Sequence, residues 1–273
     1  TGDYSDHWLN RTPAYLKVAN VSEGISRLPE YAFWGFENIE RINLPNGITE
    51  IGIEAFFNNH SLREINLPEG ITVIRTQAFD YCRSLIEINI PSTLLNIEIH
   101  AFRKNTSLER VEFATGSLPS SIGENAFSDC ENLEYINIPD NSIFEIREGT
   151  FSGCSSLKEI NLPRGLQYIR GHAFSSSGLE SITIPYMVQE IGFGAFRYNE
   201  NLSEIIFDYQ NSRLQVIGAE SFLGCIALEQ LIVPESVLEI VNETFKDCTN
   251  LKEVYVLREY NYRASSYVTT ATR

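Results

Sequence analysis

Five cysteines are the residues best suited to chemistry in this sequence, because a thiolate is both a nucleophile and a metal ligand. Each cysteine follows a phenylalanine by three residues, and the set is Cys82, Cys130, Cys154, Cys225 and Cys248. Zinc sites use short local spacings such as C-x-x-C, and no two of these cysteines stand that close in sequence. The spacing therefore does not favour a metal site.

The same position, three residues after a phenylalanine, also accepts other small polar residues, namely Asn59, Asn105, Ser177 and Asn199. A position shared by Cys, Asn and Ser predicts an interior site where a small side chain bonds the main chain of a neighbouring segment. If the segments stack, Cys130 with Cys154 and Cys225 with Cys248 could come within disulfide range. Because the position does not require sulfur, we predict five buried free thiols and no bound metal or cofactor.

The four histidines do not suggest a catalytic group. They are His7, His60, His100 and His172, and the last three fall in different repeats, so spacing assembles no triad or ligand cluster. His100 and His172 each precede an Ala-Phe pair and are predicted to be surface turn residues. The sequence has no phosphate-binding glycine loop and no nucleophile elbow. We therefore predict that the protein is not an enzyme.

The element that positions all these residues is a repeat marked by ten phenylalanines: Phe33, Phe56, Phe79, Phe102, Phe127, Phe151, Phe174, Phe196, Phe222 and Phe245. Successive members are separated by 23, 23, 23, 25, 24, 23, 22, 26 and 23 residues. A period in the twenties predicts a solenoid, in which each coil buries its apolar face only against its neighbours. We expect the phenylalanines to form one internal stack, so that Phe151→Ala costs about 3–5 kcal/mol.

One repeat, residues 62–79, shows the local structure. Glu64–Leu67 alternates polar and apolar residues, which predicts a strand with one buried face, and Pro68 ends it. Ala78 and Phe79 are spaced for a short helical or 3₁₀ turn on the return path. Stacked repeats would form a parallel sheet with strands about 4.8 Å apart. We predict an N-terminal cap at 1–24, a ten-repeat solenoid at 25–257, and a C-terminal cap or linker at 258–273.

Composition limits the possible partners. The chain has 273 residues, 43% of them apolar, and a formal net charge of −15. Nucleic acids and anionic membranes both attract positive charge, so this balance argues against either as a partner. We expect a monomer without direct membrane insertion.

The repeat resembles the BspA-like class of leucine-rich repeat. The pattern Leu-x-x-Ile-x-Leu-Pro, then Ile-Gly-x-x-Ala-Phe-x-x-Cys, is clear at 122–130, 133–139 and 157–163. The resemblance implies a right-handed leucine-rich-repeat superhelix with its parallel sheet on the concave face. It also implies an extracellular or cell-surface protein, often an adhesin that binds matrix proteins or other microbes. The family carries no common set of binding residues.

Outward-facing strand residues indicate where a partner would bind. One predicted column holds Asn43, Asn66, Asn89, Glu112, Asn137, Asn161 and Thr183, and then turns apolar at Ile206, Ile232 and Tyr255. Apolar residues at water-facing positions predict a covered surface. We predict a protein or glycan site there, with the full set Ile206, Ile232, Tyr255, Glu204, Tyr209, Glu253 and Tyr135.

Two alternatives remain open from the sequence. Residues 258–273, which hold three tyrosines, could fold back over the apolar positions as a cap. The solenoid could also be a structural spacer or self-associating unit that projects other domains. A uniformly polar sheet face would favour the spacer.

Overall fold

The computed structural model describes residues 15–208 and 211–256. The chain divides into two compact units, Thr1–Asn137 and Ile138–Arg273. Each unit is a stack of coils, and each coil carries one of the ten motif phenylalanines. The protein is thus a parallel β-solenoid of about ten turns, as the repeat predicts.

The first unit contains eleven strands among its described residues. They are β1 Val18–Asn20, β2 Arg27–Leu28, β3 Arg41–Asn43, β4 Glu50–Ile51, β5 Glu64–Asn66, β6 Val73–Ile74, β7 Glu87–Ile90, β8 Asn96–Ile97, β9 Arg110–Phe113, β10 Ser121–Ile122 and β11 Tyr135–Ile136. We call β1 and the strands that follow the motif phenylalanines the long strands, and they pair as β1-β3-β5 and β7-β9-β11. We call the strands that precede the motif phenylalanines the short strands, and they pair as β2-β4-β6-β8-β10. All pairs are parallel, with Ile42 beside Ile65 and Ile51 beside Ile74.

The second unit has nine strands among its described residues: β12 Glu145–Ile146, β13 Tyr168–Ile169, β14 Ser181–Ile184, β15 Glu190–Ile191, β16 Glu204–Phe207, β17 Val216–Ile217, β18 Gln230–Val233, β19 Glu239–Ile240 and β20 Glu253–Val256. The two-residue strands form one five-stranded ladder, β12-β13-β15-β17-β19. The longer strands form only two pairs, β14-β16 and β18-β20. The long-strand ladder is therefore less continuous than the short-strand ladder.

The motif phenylalanines stack inside each unit. Ring centroids of successive members lie 4.8 to 5.5 Å apart from Phe33 to Phe127. From Phe151 to Phe245 they lie 5.3 to 5.9 Å apart. The eight from Phe56 to Phe222 are fully buried. Each ring thus fills the space between two coils.

The return path differs from the predicted short helical turn. The residues two before and two after every motif phenylalanine have positive φ, between 50° and 75°. Around Phe79, for example, the N–H groups of Gln77, Phe79 and Tyr81 donate to the next coil at 3.0, 2.8 and 2.9 Å. A helix would use these N–H groups within its own coil. Because they bond across coils instead, no α-helix forms in the described residues.

Most positions three residues after the phenylalanines carry hydrogen-bond donors that link neighbouring coils. The thiols of Cys82, Cys130, Cys225 and Cys248 donate to the carbonyl of the motif phenylalanine one coil earlier, over 3.0 to 3.2 Å. The amide of Asn59 makes the same bond to Phe33 at 2.9 Å. All five cysteines are buried free thiols. Burial raises the pKa of Cys248 to about 11 and raises those of Cys82 and Cys225 further.

Ion pairs connect side chains in and beside the short strands of neighbouring coils. In the first unit, Glu50 accepts from Arg75 at 2.6 Å and pairs with Arg27 at 3.1 Å. Arg75 also reaches Glu98 at 2.7 Å, so one alternating chain of charge spans four coils. Half-buried pairs of this kind tie neighbouring coils together more than exposed pairs do. No helix among the described residues is long and apolar enough to cross a membrane.

Candidate binding surface

Alternation along the long strands determines which side chains face outward. In β16, Ile205 and Phe207 are buried while Glu204 and Ile206 are exposed. The same alternation holds in β18, where Leu231 is buried. Each strand of the β1-β3-β5 type, whether two, three or four residues long, therefore presents one or two side chains to solvent. Equivalent positions in successive coils form columns along the unit.

The three predicted apolar anchors lie in successive coils of the second unit. Ile206 is 40% exposed, Ile232 is half-buried and Tyr255 is 47% exposed. Ile232 and Tyr255 are register partners across β18 and β20. Ile206 pairs on its other side with Thr183, and β16 lies beside β18 without a hydrogen-bonded ladder between them. We call Ile206, Ile232 and Tyr255 the apolar patch.

Acidic residues border the apolar patch. Glu204 and Glu253 are exposed on the same strands. The Tyr255 hydroxyl donates to the Glu253 carboxylate, and this hydrogen bond raises the pKa of Tyr255. Tyr209, which was also predicted to belong to the site, lies outside the described residues.

Tyr135 lies apart from these residues, in β11 of the first unit. Its ring is 40% exposed, and the Arg110 guanidinium carbon lies 4.0 Å from the ring centroid. The polar column of this unit is partly hydrogen-bonded, since Asn43 donates to Asn20 at 2.7 Å. One asparagine pair thus joins β1 and β3 through their side chains.

A groove in the second unit was not predicted from the sequence. It holds about 550 Å³ and runs between residues 159–162 and β14, with Tyr186 and Asp208 at one end. We call it the strand groove. The available signal was the spacing of 22 residues between Phe174 and Phe196, the shortest of the ten-coil series.

The histidines and acidic residues do not assemble into a reaction centre in the part of the chain that the structure describes. His100 and His172 are half-buried turn residues in different units, and burial lowers the pKa of each. Within residues 15–208 and 211–256, no three His, Cys, Asp or Glu side chains are grouped closely enough to hold a metal ion.

These features define a parallel β-solenoid of the leucine-rich-repeat kind. The model of the BspA type leucine rich repeat region matches residues 14–118 and 120–252, in six copies. The chain belongs to this family. No curated protein matches it in sequence.

Two solved structures with similar folds come from bacteria. A leucine-rich repeat protein from Bacteroides ovatus is 24% identical, with a TM-score of 0.53 over 87% of this chain and 80% of that one. The pneumococcal vaccine antigen PcpA is 16% identical, with a TM-score of 0.51 over 88% of this chain and 72% of its own. At these identities the similarity concerns the fold alone.

Proposed function

We propose that the protein is a non-enzymatic binding module of a cell-surface or secreted adhesin-like protein, and that it binds a protein or glycan through the apolar patch. The observation behind this is the change of one outward column from polar to apolar in three successive coils. Water-facing strand positions normally carry polar side chains, so such a change suggests a surface that a partner covers.

The composition of the surface supports a partner interface. Interfaces place aromatic and aliphatic anchors centrally and polar groups at the rim. Here Ile206, Ile232 and Tyr255 would be the anchors, and Glu204 and Glu253 would be the rim. The acidic rim and the net charge of −15 favour a partner with a basic surface, because opposite charges speed association.

The surface setting of the protein is part of the same proposal. One fold relative is a pneumococcal vaccine antigen, which is consistent with an exposed bacterial protein. We further propose that the module acts as a monomer and binds neither nucleic acid nor lipid directly.

The apolar patch can be tested by affinity capture from extracts of host matrix and host cell surface. Ile232→Asp should reduce capture of the specific partner at least tenfold, because it places a charge at the centre of the interface. Asn89→Asp, an outward position of β7 in the first unit, is the matched control and should leave capture unchanged. Equal capture by both variants and the wild type would contradict the patch as the site.

Two competing accounts need a separate variant, one that lacks residues 258–273. If these residues cap the apolar patch, the truncated protein should aggregate or lose stability, and Ile232→Asp should leave partner capture intact. If the solenoid is only a spacer, the wild type should capture nothing specific from any extract. A binding module should instead keep its partner after truncation.

A further inference from the structure

Two outward positions recur in each coil of the second unit and form neighbouring columns. One column, which we call the acidic column, holds Glu159, Ser181, Glu204, Gln230 and Glu253. The other column, two residues further along each coil, holds Asn161, Thr183, Ile206, Ile232 and Tyr255. Its last three members are the apolar patch. All ten side chains are exposed except those of Ser181 and Ile232, which are half-buried.

Strand pairing aligns the members of both columns. Across β14 and β16, Ser181 lies beside Glu204 and Thr183 lies beside Ile206. The four residues of β18 pair one to one with those of β20 in the same way, and β16 lies next to β18. Side chains two residues apart on a strand are about 6.7 Å apart. An acidic stripe and an apolar stripe therefore run side by side along the unit.

The acidic column lacks the cations that neutralise its equivalent in the first unit. There, Arg41 pairs with Glu64, the next member of the same column. In the second unit neither column contains lysine or arginine. Lys252, which flanks the acidic column, pairs with Glu229 at 2.8 Å. Within the described part of the chain the three glutamates of the acidic column form no ion pair, so their charges are available to a partner.

The strand groove continues this surface at its first coil. Members of both columns line it, together with Asp208, whose side chain is exposed. Arg164 also lines the groove but pairs with Asp140 at 3.6 Å. The groove therefore adds depth beside Glu159, with room for a long basic side chain.

The repeat along the columns matches a helix better than an extended chain. Strands of a ladder are about 4.8 Å apart, and the motif phenylalanine rings of this unit repeat at 5.3 to 5.9 Å. An α-helix rises about 5.4 Å per turn, which lies between these values. An extended chain presents same-face side chains about 6.7 Å apart. Over the two steps from Ile206 to Tyr255, a helix would move out of step by about 1.2 Å and an extended chain by about 3.8 Å.

We propose that the two columns bind an amphipathic α-helix of a protein partner, which lies along the axis of the unit with one helical turn per coil. The apolar stripe of the helix packs on the apolar patch. Lysine or arginine residues on the adjacent flank of the helix pair with the acidic column. This proposal rests on the proposed function and narrows its partner to a basic helical segment.

The dimensions of the surface suit such a helix. With its side chains a helix is about 10–12 Å across, which covers two columns about 6.7 Å apart. The four steps from the first coil of the columns to the last span about 19 Å at strand spacing. That is the length of about 13 helical residues.

The first experiment measures the binding of labelled synthetic peptides to the full-length protein by fluorescence polarisation. The parent peptide is alanine-based, with leucines at i, i+4, i+7 and i+11 and an arginine before each leucine, so that apolar and basic faces adjoin on one helix. It should bind at least tenfold more tightly than a version with a central proline, which breaks the helix. The same margin should separate it from a peptide of equal composition whose leucines recur at every second residue, as in a strand. Equal or tighter binding of either control would overturn the proposal.

The charge of the helix is tested by replacing each arginine with citrulline, which has the same shape and no charge. Affinity should fall at least fivefold, and the parent peptide should bind more weakly as the salt concentration rises. An unchanged affinity would contradict the pairing with the acidic column. Binding of the parent peptide only after removal of residues 258–273 would make the chain's own tail the occupant and would also contradict the proposal.

Two variants test the site itself. Glu204→Arg reverses the central charge of the acidic column and should weaken binding of the parent peptide at least tenfold. Glu87→Arg is the matched control and should leave binding unchanged, because Glu87 is an exposed residue of the same column in the first unit. A peptide with glutamate in place of arginine should bind Glu204→Arg more tightly than it binds the wild type. Similar losses in both variants, or no gain from the charge swap, would overturn the proposal.

The same proteins separate this proposal from the proposed function. If the helical peptide fails to bind while Ile232→Asp reduces partner capture from extracts, the helix proposal is wrong and the proposed function stands. If the helical peptide binds while Ile232→Asp leaves capture from extracts intact, the surface accepts a helix and the proposed function is wrong.

Discussion

At the residue scale, the position three residues after a motif phenylalanine holds a small hydrogen-bond donor in nine of the ten coils, the exception being Phe36 in the first coil. At Asn59 the amide nitrogen bonds the Phe33 carbonyl, and the buried side-chain oxygen has no partner among the described residues. At Asn199 that oxygen accepts from Ser177 at 2.6 Å. A thiol donates and adds only a weak acceptor. Cysteine meets this requirement, and it occupies the position in five of the ten coils.

The two asparagines should therefore respond oppositely to the same change. Asn59→Cys keeps the donor and removes a buried oxygen without a partner, so it should stabilise the protein by about 1 kcal/mol. Asn199→Cys leaves Ser177 without its acceptor and should cost about 1–2 kcal/mol. Urea denaturation of both variants measures the difference. Stabilisation of both, or of neither, would show that the oxygen's partner is not the deciding factor.

Buried thiols should also make stability depend on alkaline pH. The unfolded thiol titrates near pH ~8.5, whereas burial raises the pKa of Cys248 to about 11. Above pH ~8.5 the unfolded chain binds fewer protons than the folded chain, so this contribution to stability is lost as pH rises toward 11. Wild type should lose stability between pH 8 and 10.5 more steeply than Cys248→Ser, which keeps the donor. Parallel pH profiles would contradict this.

At the element scale, the return turn and the short strand depend on contacts between coils. Positive φ at non-glycine residues is unfavourable by itself. Here it is compensated because the turn N–H groups bond the next coil. The short-strand ladder also requires a residue without a side chain at Gly192. Gly192 approaches the preceding coil so closely that a Cβ would lie 2.8 Å from main-chain atoms of Arg170 and Gly171.

Gly192→Ala should consequently push β13 and β15 apart. We expect a loss of about 1–3 kcal/mol from overpacking against rigid main chain. Gly165→Ala is the control, because its Cβ would meet only ordinary contact, 3.9 Å from Asn141. Denaturation midpoints and exchange rates of the Glu190–Ile191 amides should both report the difference. A neutral Gly192→Ala would mean that the short-strand ladder adjusts freely.

At the scale of the whole molecule, stability in a solenoid is a sum of coil and neighbour terms. Interior coils bury their phenylalanine on both sides, while Phe245 in the last coil of the motif series is only half-buried. The last strands, β19 and β20, are also largely exposed. Unfolding should therefore begin more easily at the final described coil than in the middle of a unit.

Phenylalanine-to-alanine substitutions should reveal this difference in stability between the middle of a unit and the final described coil. Phe151→Ala leaves a cavity in a closed stack and should cost about 3–5 kcal/mol. Phe245→Ala should cost less than half as much, because solvent already reaches its ring. Urea midpoints measure both, and Phe193→Ala, whose ring is exposed, should be near neutral. Equal costs at Phe151 and Phe245 would show that the described end is as well packed as the interior.

The sequence by itself determined the solenoid, its ten coils, the phenylalanine stack and the buried position shared by Cys, Asn and Ser. Each of these is repeated, and a repeated residue must meet nearly the same surroundings in every coil. It also placed Ile206, Ile232 and Tyr255 on one face, because strand alternation depends only on local spacing.

Only the tertiary structure decided what depends on bonds between coils. The Ala-Phe segment has the spacing of a helical turn, but its N–H groups find carbonyls in the next coil and no helix forms. The connection from Phe174 to Ile182, one residue shorter than its equivalents in the other coils, was visible in the sequence. Its effect on packing was not, because the close approach of Gly178 to the Ser155 carbonyl depends on the preceding coil. Spacing along one chain specifies which residues face inward, whereas hydrogen-bond partners are set by the distance to the next coil.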